Sequence, residues 1–358
     1  MSTPPSPRRH AARSEPMMGI ERYGMAGSPP ACATLGQWRR AHPGPADARP
    51  PFPGSAAAPA SDDARDPPRP PQRGGAGPHH GARKPGSRQG WKHIVVCADD
   101  FGMTPGIDAG MLQLAAMGRL SAVSCLALGP AFAADAPALA GIDADLGVHL
   151  NLTEAFDAAG RTAVMPLPAL IARAYTGRLD GAWIDTQLAR QFDAFERTLG
   201  RAPDYVDGHQ HVHQLPGVLP RLLDFLRRRY GPQRPWLRHT APGILDGIPL
   251  RDAAKAHLIG ALGAAALRRA AHRDGWRTNR RMLGVYGLDG GVRRYAALLH
   301  HWLYHALDGD LIMCHPGLPS SGDRLAGQRA AEYSVLASPL IGEWMRFNGV
   351  RIARLSRR

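Results

Sequence analysis

The chain has 358 residues, 44% of them hydrophobic but only 6% Phe, Tyr or Trp, enough to bury a large and mainly aliphatic core. Its formal net charge is +14, yet the first 90 residues hold 13 Lys and Arg against 6 Asp and Glu, so half of the excess sits in one segment. No aromatic-interleaved basic patch or recognition-helix pattern accompanies the charge, which argues against a nucleic-acid partner. No window approaches the roughly 20 apolar residues of a transmembrane segment, and Met1–His10 lacks the basic start and apolar run of an export signal. The cysteines Cys32, Cys97, Cys125 and Cys314 form no CxxC pair and fit reduced thiols. A cytoplasmic protein is expected, with peripheral contact at the inner membrane left open.

Residues 1–90 carry 18 of the 33 prolines and no apolar periodicity. They read as disordered, or as translated sequence upstream of the natural start. The ordered domain is expected over 91–358. It begins with the buried strand Trp91-Lys-His-Ile-Val-Val-Cys-Ala98, which delivers Asp99 and Asp100 at its carboxyl end. A helix over 105–118, a strand over 121–128 and a short helix over 131–140 follow. The next strand, Leu146–Leu150, contains His149. Residues 155–182, rich in Gly and Pro, are expected to be irregular and to contact substrate.

Trp183, Leu188, Phe192, Phe195 and Leu199 predict a helix closed by Gly200. The strand Tyr205-Val-Asp207 then leads into Gly208-His-Gln-His-Val-His213. Further helices are predicted over 218–230, 251–273, 292–307 and 332–340. Strands are predicted at 236–238, 310–314 and 350–355, with 284–287 a strand or a loop beside one. Polar clusters repeatedly follow the carboxyl ends of apolar strands that alternate with helices. That is the pattern of an α/β protein built as a parallel β/α barrel, with a doubly wound open sheet as the competitor.

Each polar residue has a bland reading beside a chemical one. Asp99 and Asp100 brace a turn or present two carboxylates to one cavity. His149 is a hydrogen-bonded core residue or a ligand. His209, His211 and His213, read as alternate positions of an extended stretch, face one way, so that two of them reach a shared cavity. One Asp and two His suit a hydrolytic divalent metal with open positions, zinc foremost, with magnesium, manganese, cobalt or iron as alternatives. A bound metal lowers the pKa of water and polarises a carbonyl, and no Gly-x-Ser-x-Gly elbow offers nucleophilic chemistry instead. Asp99 is the natural proton acceptor beside Asp100. His315, before the rigid Pro316-Gly317 turn, is the natural donor to a departing amine.

Four segments, Ala98-Asp-Asp-Phe-Gly102, Gly147-Val-His-Leu-Asn-Leu-Thr153, Val206-Asp-Gly-His-Gln-His-Val-His213 and Cys314-His-Pro-Gly317, resemble in order the motifs of the YdjC-like carbohydrate deacetylases. The resemblance covers residues 93 to about 355. It implies a distorted TIM-like (β/α) barrel related to polysaccharide deacetylases. It implies Asp100, His149 and His209 as metal ligands, Asp99 as the proton-accepting carboxylate and His315 beside the metal pocket. Arg238 falls where the family places an arginine, to orient Asp99 or to contact a substrate hydroxyl. His211 and His213 would position His209 or line the sugar site. The implied reaction releases acetate from an N-acetylated sugar, oligosaccharide or glycolipid, with metal-dependent hydrolysis of another amide or of a phosphate ester, or carbohydrate binding without turnover, as the alternatives; a homodimer is compatible with the resemblance. Gly208 and Gln210 depart from the commonest family wording, which puts the surroundings of His209 in doubt.

Overall fold

The structure is a computed structural model that describes residues 90–155, 164–320 and 322–358. The expected disordered tail lies outside the described residues except for Gly90, as do Cys32 and residues 156–163 of the expected substrate loop.

Among the described residues, eight strands alternate with helices: β1 (Lys92–Phe101), β2 (Ala122–Cys125), β3 (Asp145–Leu150), β4 (Tyr205–Gly208), β5 (Trp236–Leu237), β6 (Met282–Leu283), β7 (Leu311–Cys314) and β8 (Val350–Ile352). Neighbours are parallel throughout, in the order β5-β4-β3-β2-β1-β7-β6, with β8 pairing the first residues of β1. The two end strands of this path meet only through the isolated bridges Leu237 to Thr278 and Pro242 to Met282. The sheet is therefore curled into a distorted β/α barrel with an open seam between β5 and β6, as an irregular member of the expected class.

Alternation along the strands sorts side chains into two layers. Ile94, Val96 and Ala98 of β1 face outward and join Ile107, Met111 and Leu114 of the helix Pro105–Ala116 in the large outer core. Val95 and Cys97 face inward with Ala122, Tyr205, Trp236, Leu311 and Met313. The interior is filled partly by Tyr205 and Trp236, whose rings stack at 4.2 Å. Gly147 makes room for this pair, since a Cβ there would lie 2.5 Å from the Tyr205 ring. Two residues further along each strand the inward register reaches polar side chains, and these form the mouth described below.

Several boundaries differ from expectation. The segment 155–182 contains the helix Leu167–Tyr175, and the following helix starts at Gly181, where Asp180 Oδ1 accepts the N–H of Ala182 at 2.9 Å. The single helix expected over 251–273 is two, Leu250–Ala261 and Ala264–Asp274, broken where Gly263 takes φ 152° against the Gln214 carbonyl. The last expected helix is also two, Ala326–Ala337 and Leu340–Phe347, divided at Ser338-Pro339. Among the described residues no helix is long and apolar enough to cross a membrane.

The turn after the two aspartates is tied to the next helix. Gly102 adopts φ 95°, and a side chain there would meet Phe132 Cβ at 2.8 Å and the Leu126 carbonyl at 2.9 Å. Its N–H donates to Asp108 Oδ1 at 2.6 Å. Burial pushes the Asp108 carboxyl up to about 8; the Gly102 N–H opposes this shift and Asp135 reinforces it. Because the folded value lies above the ordinary 3.8, the folded protein holds a proton that the unfolded chain has released. The resulting stability is complete below the unfolded value and is lost as pH rises through the folded one. Urea midpoints should fall between about pH 4 and about pH 8, and Asp108→Asn should flatten that fall; an unchanged slope would show that Asp108 does not govern it.

Candidate metal centre

Adjacent residues of a regular strand face opposite sides, so Asp99 and Asp100 need a local irregularity to serve one site. The register of β1 against β2 supplies it: Ala98 pairs with Val123 but Phe101 pairs with Cys125, an extra residue on β1. Asp100 takes φ 79°, in the left-handed region, at a backbone cost of about 1–3 kcal/mol. Asp99 keeps the inward register of Val95 and Cys97, and the bulge turns Asp100 in beside it.

The inward register brings Ser124, His149, Asp207 and Arg238 to the same layer. Arg238, fully buried, donates to both oxygens of Asp99 at 2.6 Å. Its NH2 also lies 2.5 Å from Asp207 Oδ2, 3.1 Å from Ser124 Oγ and 2.8 Å from Cys97 Sγ. Ser124 donates to Asp207 Oδ2 at 2.6 Å. Asp207 Oδ1 in turn lies 2.6 Å from His149 Nδ1, which makes that nitrogen the protonated one and leaves Nε2 free to act as a donor atom. His149 Nε2 is 3.5 Å from Asp100 Oδ1, which is itself 3.0 Å from His209 Nδ1. The other nitrogen of His209 lies 3.2 Å from Glu154 Oε1.

Asp100, His149 and His209 thus offer one carboxylate and two imidazoles with donor atoms within 4.8 Å of one another, a set that fits a divalent cation. Each imidazole has a carboxylate on its far side, Asp207 or Glu154, the usual support for a histidine ligand. Cys97, Asp99 and Asp207 are equally close together, but the Arg238 guanidinium already lies among them and supplies the positive charge there. The first cluster is therefore the one whose donor atoms stay open to a cation.

The electrostatics follow the same division. Burial raises the Asp99 carboxyl, but the Arg238 guanidinium overrides it and holds Asp99 well below the usual carboxylate range. Burial likewise opposes ionisation of Asp100, and its contacts with His149, His209 and Arg329 outweigh it. Burial disfavours charge on His149 and His209, yet the surrounding carboxylates lift them to about 10 and about 9. His315, next along from β7, is pushed down to about 4 by burial, against the pull of Asp100 and Asp99. Its Nδ1 is buried without a hydrogen-bond partner.

A profile of the YdjC-like protein family matches residues 93–346. The chain belongs to this family. It is 28% identical over 295 residues to a carbohydrate deacetylase of Mus musculus, an alignment covering 73% of this chain and 93% of that one. A chitooligosaccharide deacetylase of Yersinia pestis is 26% identical over 279 residues, covering 73% of this chain and 97% of that one. In fold the chain is similar to the crystal structure of an Enterococcus faecalis V583 protein proposed to cleave cellobiose-phosphate, with a TM-score of 0.54, 20% identity and coverage of 74% and 98%.

Against the motifs of the YdjC-like chain, one reading needs correction. Residues 209–214 are not extended but form a tight 3-10 turn, in which Gln210 and His211 take φ 53° and 60°. The three histidines consequently diverge. His209 meets Asp100, His213 donates through Nε2 to the Arg238 carbonyl at 2.9 Å, and His211 has a buried Nδ1 without a hydrogen-bond partner. Neither His211 nor His213 occupies the second nitrogen of His209; Glu154 does. Its presentation comes from Asn151, whose side-chain oxygen accepts the N–H groups of Thr153 and Glu154 at 3.0 Å.

Sequence reasoning also passed over Arg329 and Glu332. Arg329, 3% exposed, donates to Asp100 Oδ2 at 2.7 Å. Glu332, fully buried, accepts the backbone N–H of His315 at 2.6 Å and the Tyr286 hydroxyl. The signal was present: Arg329, Glu332 and Leu336 share the buried face of one helix, where charge is out of place unless paired.

Asp207 tests the support of the donor set. Asp207→Asn should weaken zinc binding by about 10–100-fold in chelator competition; an unchanged affinity would separate Asp207 from the donor set.

Proposed function

We propose that this protein is a metal-dependent hydrolase that removes the acetyl group from an N-acetylated sugar, as an oligosaccharide or a glycolipid head group. The observation that carries the reading is the Asp100, His149 and His209 donor set beside a second, rigidly held carboxylate. The carbohydrate deacetylases and chitooligosaccharide deacetylases among its relatives support the substrate class.

Asp100, His149 and His209 would hold the cation, with zinc the first choice for a mixed nitrogen and oxygen set and magnesium, manganese, cobalt or iron as alternatives. Such an ion supplies polarisation of the acetamide carbonyl and a water of lowered pKa. Asp99 is kept ionised by Arg238, and the two guanidinium hydrogen bonds hold it in one orientation, so its remaining lone pairs can receive the proton of the attacking water. His315 carries a buried, unpartnered Nδ1 under the influence of both aspartates, and its main chain is pinned by Glu332. Burial leaves it neutral at rest, so it would first take up the proton that Asp99 collects from the water and then pass it to the departing sugar nitrogen, a step that amide cleavage needs because an amide anion is a poor leaving group.

The test is acetate release from N-acetylglucosamine oligomers and N-acetylglucosaminyl glycolipids, after chelation and reloading with one divalent metal at a time. Acetate and free amine should appear together, vanish on chelation and vanish in Asp100→Ala. Asp99→Asn should retain metal and lose about 10²–10⁴-fold in kcat. Acetate release that survives both chelation and Asp100→Ala would refute the reading, and phosphate release from a phosphate ester without acetate would replace it.

A further inference from the structure

Arg329, on the helix Ala326–Ala337, lies 229 residues from Asp100 in sequence, yet it reaches directly into the metal site. Building on the metal-site reading above, we propose that Arg329 is a positioning residue that confines Asp100 to ligation through a single oxygen. Oδ1 of Asp100 faces the two imidazoles, at 3.0 and 3.5 Å, while Oδ2 receives the Arg329 NH2 at 2.7 Å. The carboxylate is split between two tasks, and a cation among the imidazoles meets Oδ1 alone.

Arg329 is itself fixed on several sides. Its Nε lies 3.1 Å from Asp323 Oδ2, and NH2 also approaches Met103 Sδ at 3.8 Å. Its carbonyl accepts the N–H of Gly317, in the turn after His315. A guanidinium buried this deeply incurs a heavy desolvation penalty, which its ion pairs with Asp100 and Asp323 offset. It also places a permanent positive charge beside a cation site, where it opposes binding of the ion. Affinity for the ion alone would favour a neutral residue, so what the arginine contributes here is control of the second Asp100 oxygen. Withholding that oxygen keeps the protein's ligand count at three and leaves positions for water and for the substrate carbonyl.

The experiment uses the full chain loaded with Co2+, whose visible absorption weakens as coordination number rises, together with chelator competition. In Arg329→Met and in Arg329→Leu, which carry no side-chain donor, the Co2+ band should weaken as Oδ2 joins the ion. Affinity should hold or tighten, and kcat should fall by about 10–100-fold. Arg329→Lys, which restores a donor and the charge, should recover the wild-type band. The neutral pair guards against a folding failure in either variant, and melting curves identify one. Unchanged Co2+ spectra and affinity in the neutral variants would overturn the inference and leave Arg329 a packing residue. Failure of the wild-type protein to bind Co2+ would instead overturn the metal-site reading itself.

Discussion

A single buried guanidinium organises the mouth of this barrel. Arg238 lies between Asp99 and Asp207, bonded to the first through two nitrogens and to the second through one. None of these three groups would tolerate burial alone, because an unpaired charge in the interior is far costlier than the same charge in a hydrogen-bonded pair. Together they form a rigid chain. Asp207 orients His149, His149 faces Asp100, and Asp100 sits one residue from Asp99. The path from Asp99 through Arg238, Asp207 and His149 returns to Asp100, so both aspartates are fixed by the same circuit. His213 closes it from behind by bonding the Arg238 carbonyl.

Strand periodicity explains why these residues converge. Inward positions in one layer of the barrel hold Val95, Cys97 and Asp99 on β1, Ala122 and Ser124 on β2, Tyr205 and Asp207 on β4, and Trp236 and Arg238 on and after β5. Lower positions are apolar or aromatic and fill the interior, while upper ones are polar and face the mouth. Asp100 is the exception. Its place in the site depends on the extra residue in β1 and on a backbone conformation that aspartate tolerates better than most side chains. The glycine two residues on, tied to Asp108, completes the reversal that makes this conformation persist.

Much of this was legible in the sequence, for a physical reason. A parallel strand buried on both faces reads as an unbroken apolar run, and the polar residue that ends it marks the carboxyl edge where barrel sites gather. Asp99, Asp100, His149, His209 and His315 all announced themselves in that way, and Arg238 followed the Trp236-Leu237 strand. Local backbone conformation was less legible. The spacing of His209, His211 and His213 suggested an extended chain, and the left-handed residues Gln210 and His211 folded it into a turn instead. Contacts that span the chain were least legible. Arg329 and Glu332 stand out as charges on the buried face of a helix, but only its docking onto the barrel mouth shows that Arg329 meets Asp100 and that Glu332 accepts the His315 N–H.

Charge balance across the mouth explains the division between its two clusters. Three buried carboxylates, Asp99, Asp100 and Asp207, face two buried guanidiniums, Arg238 and Arg329. Arg238 satisfies Asp99 and shares Asp207, whereas Arg329 covers only the outer oxygen of Asp100. Negative potential therefore remains where Asp100 Oδ1 meets the imidazoles, and Glu154 adds to it at the rim. Burial works against positive charge on His149 and His209, yet the carboxylates lift both above their ordinary range. The pocket stabilises positive charge at the point where three lone pairs converge. A divalent cation meets that demand more completely than two protons, because it uses the lone pairs that protonation would consume. The guanidinium side of the network stays closed to such an ion, so the same set of buried charges both creates the cation site and confines it to one position.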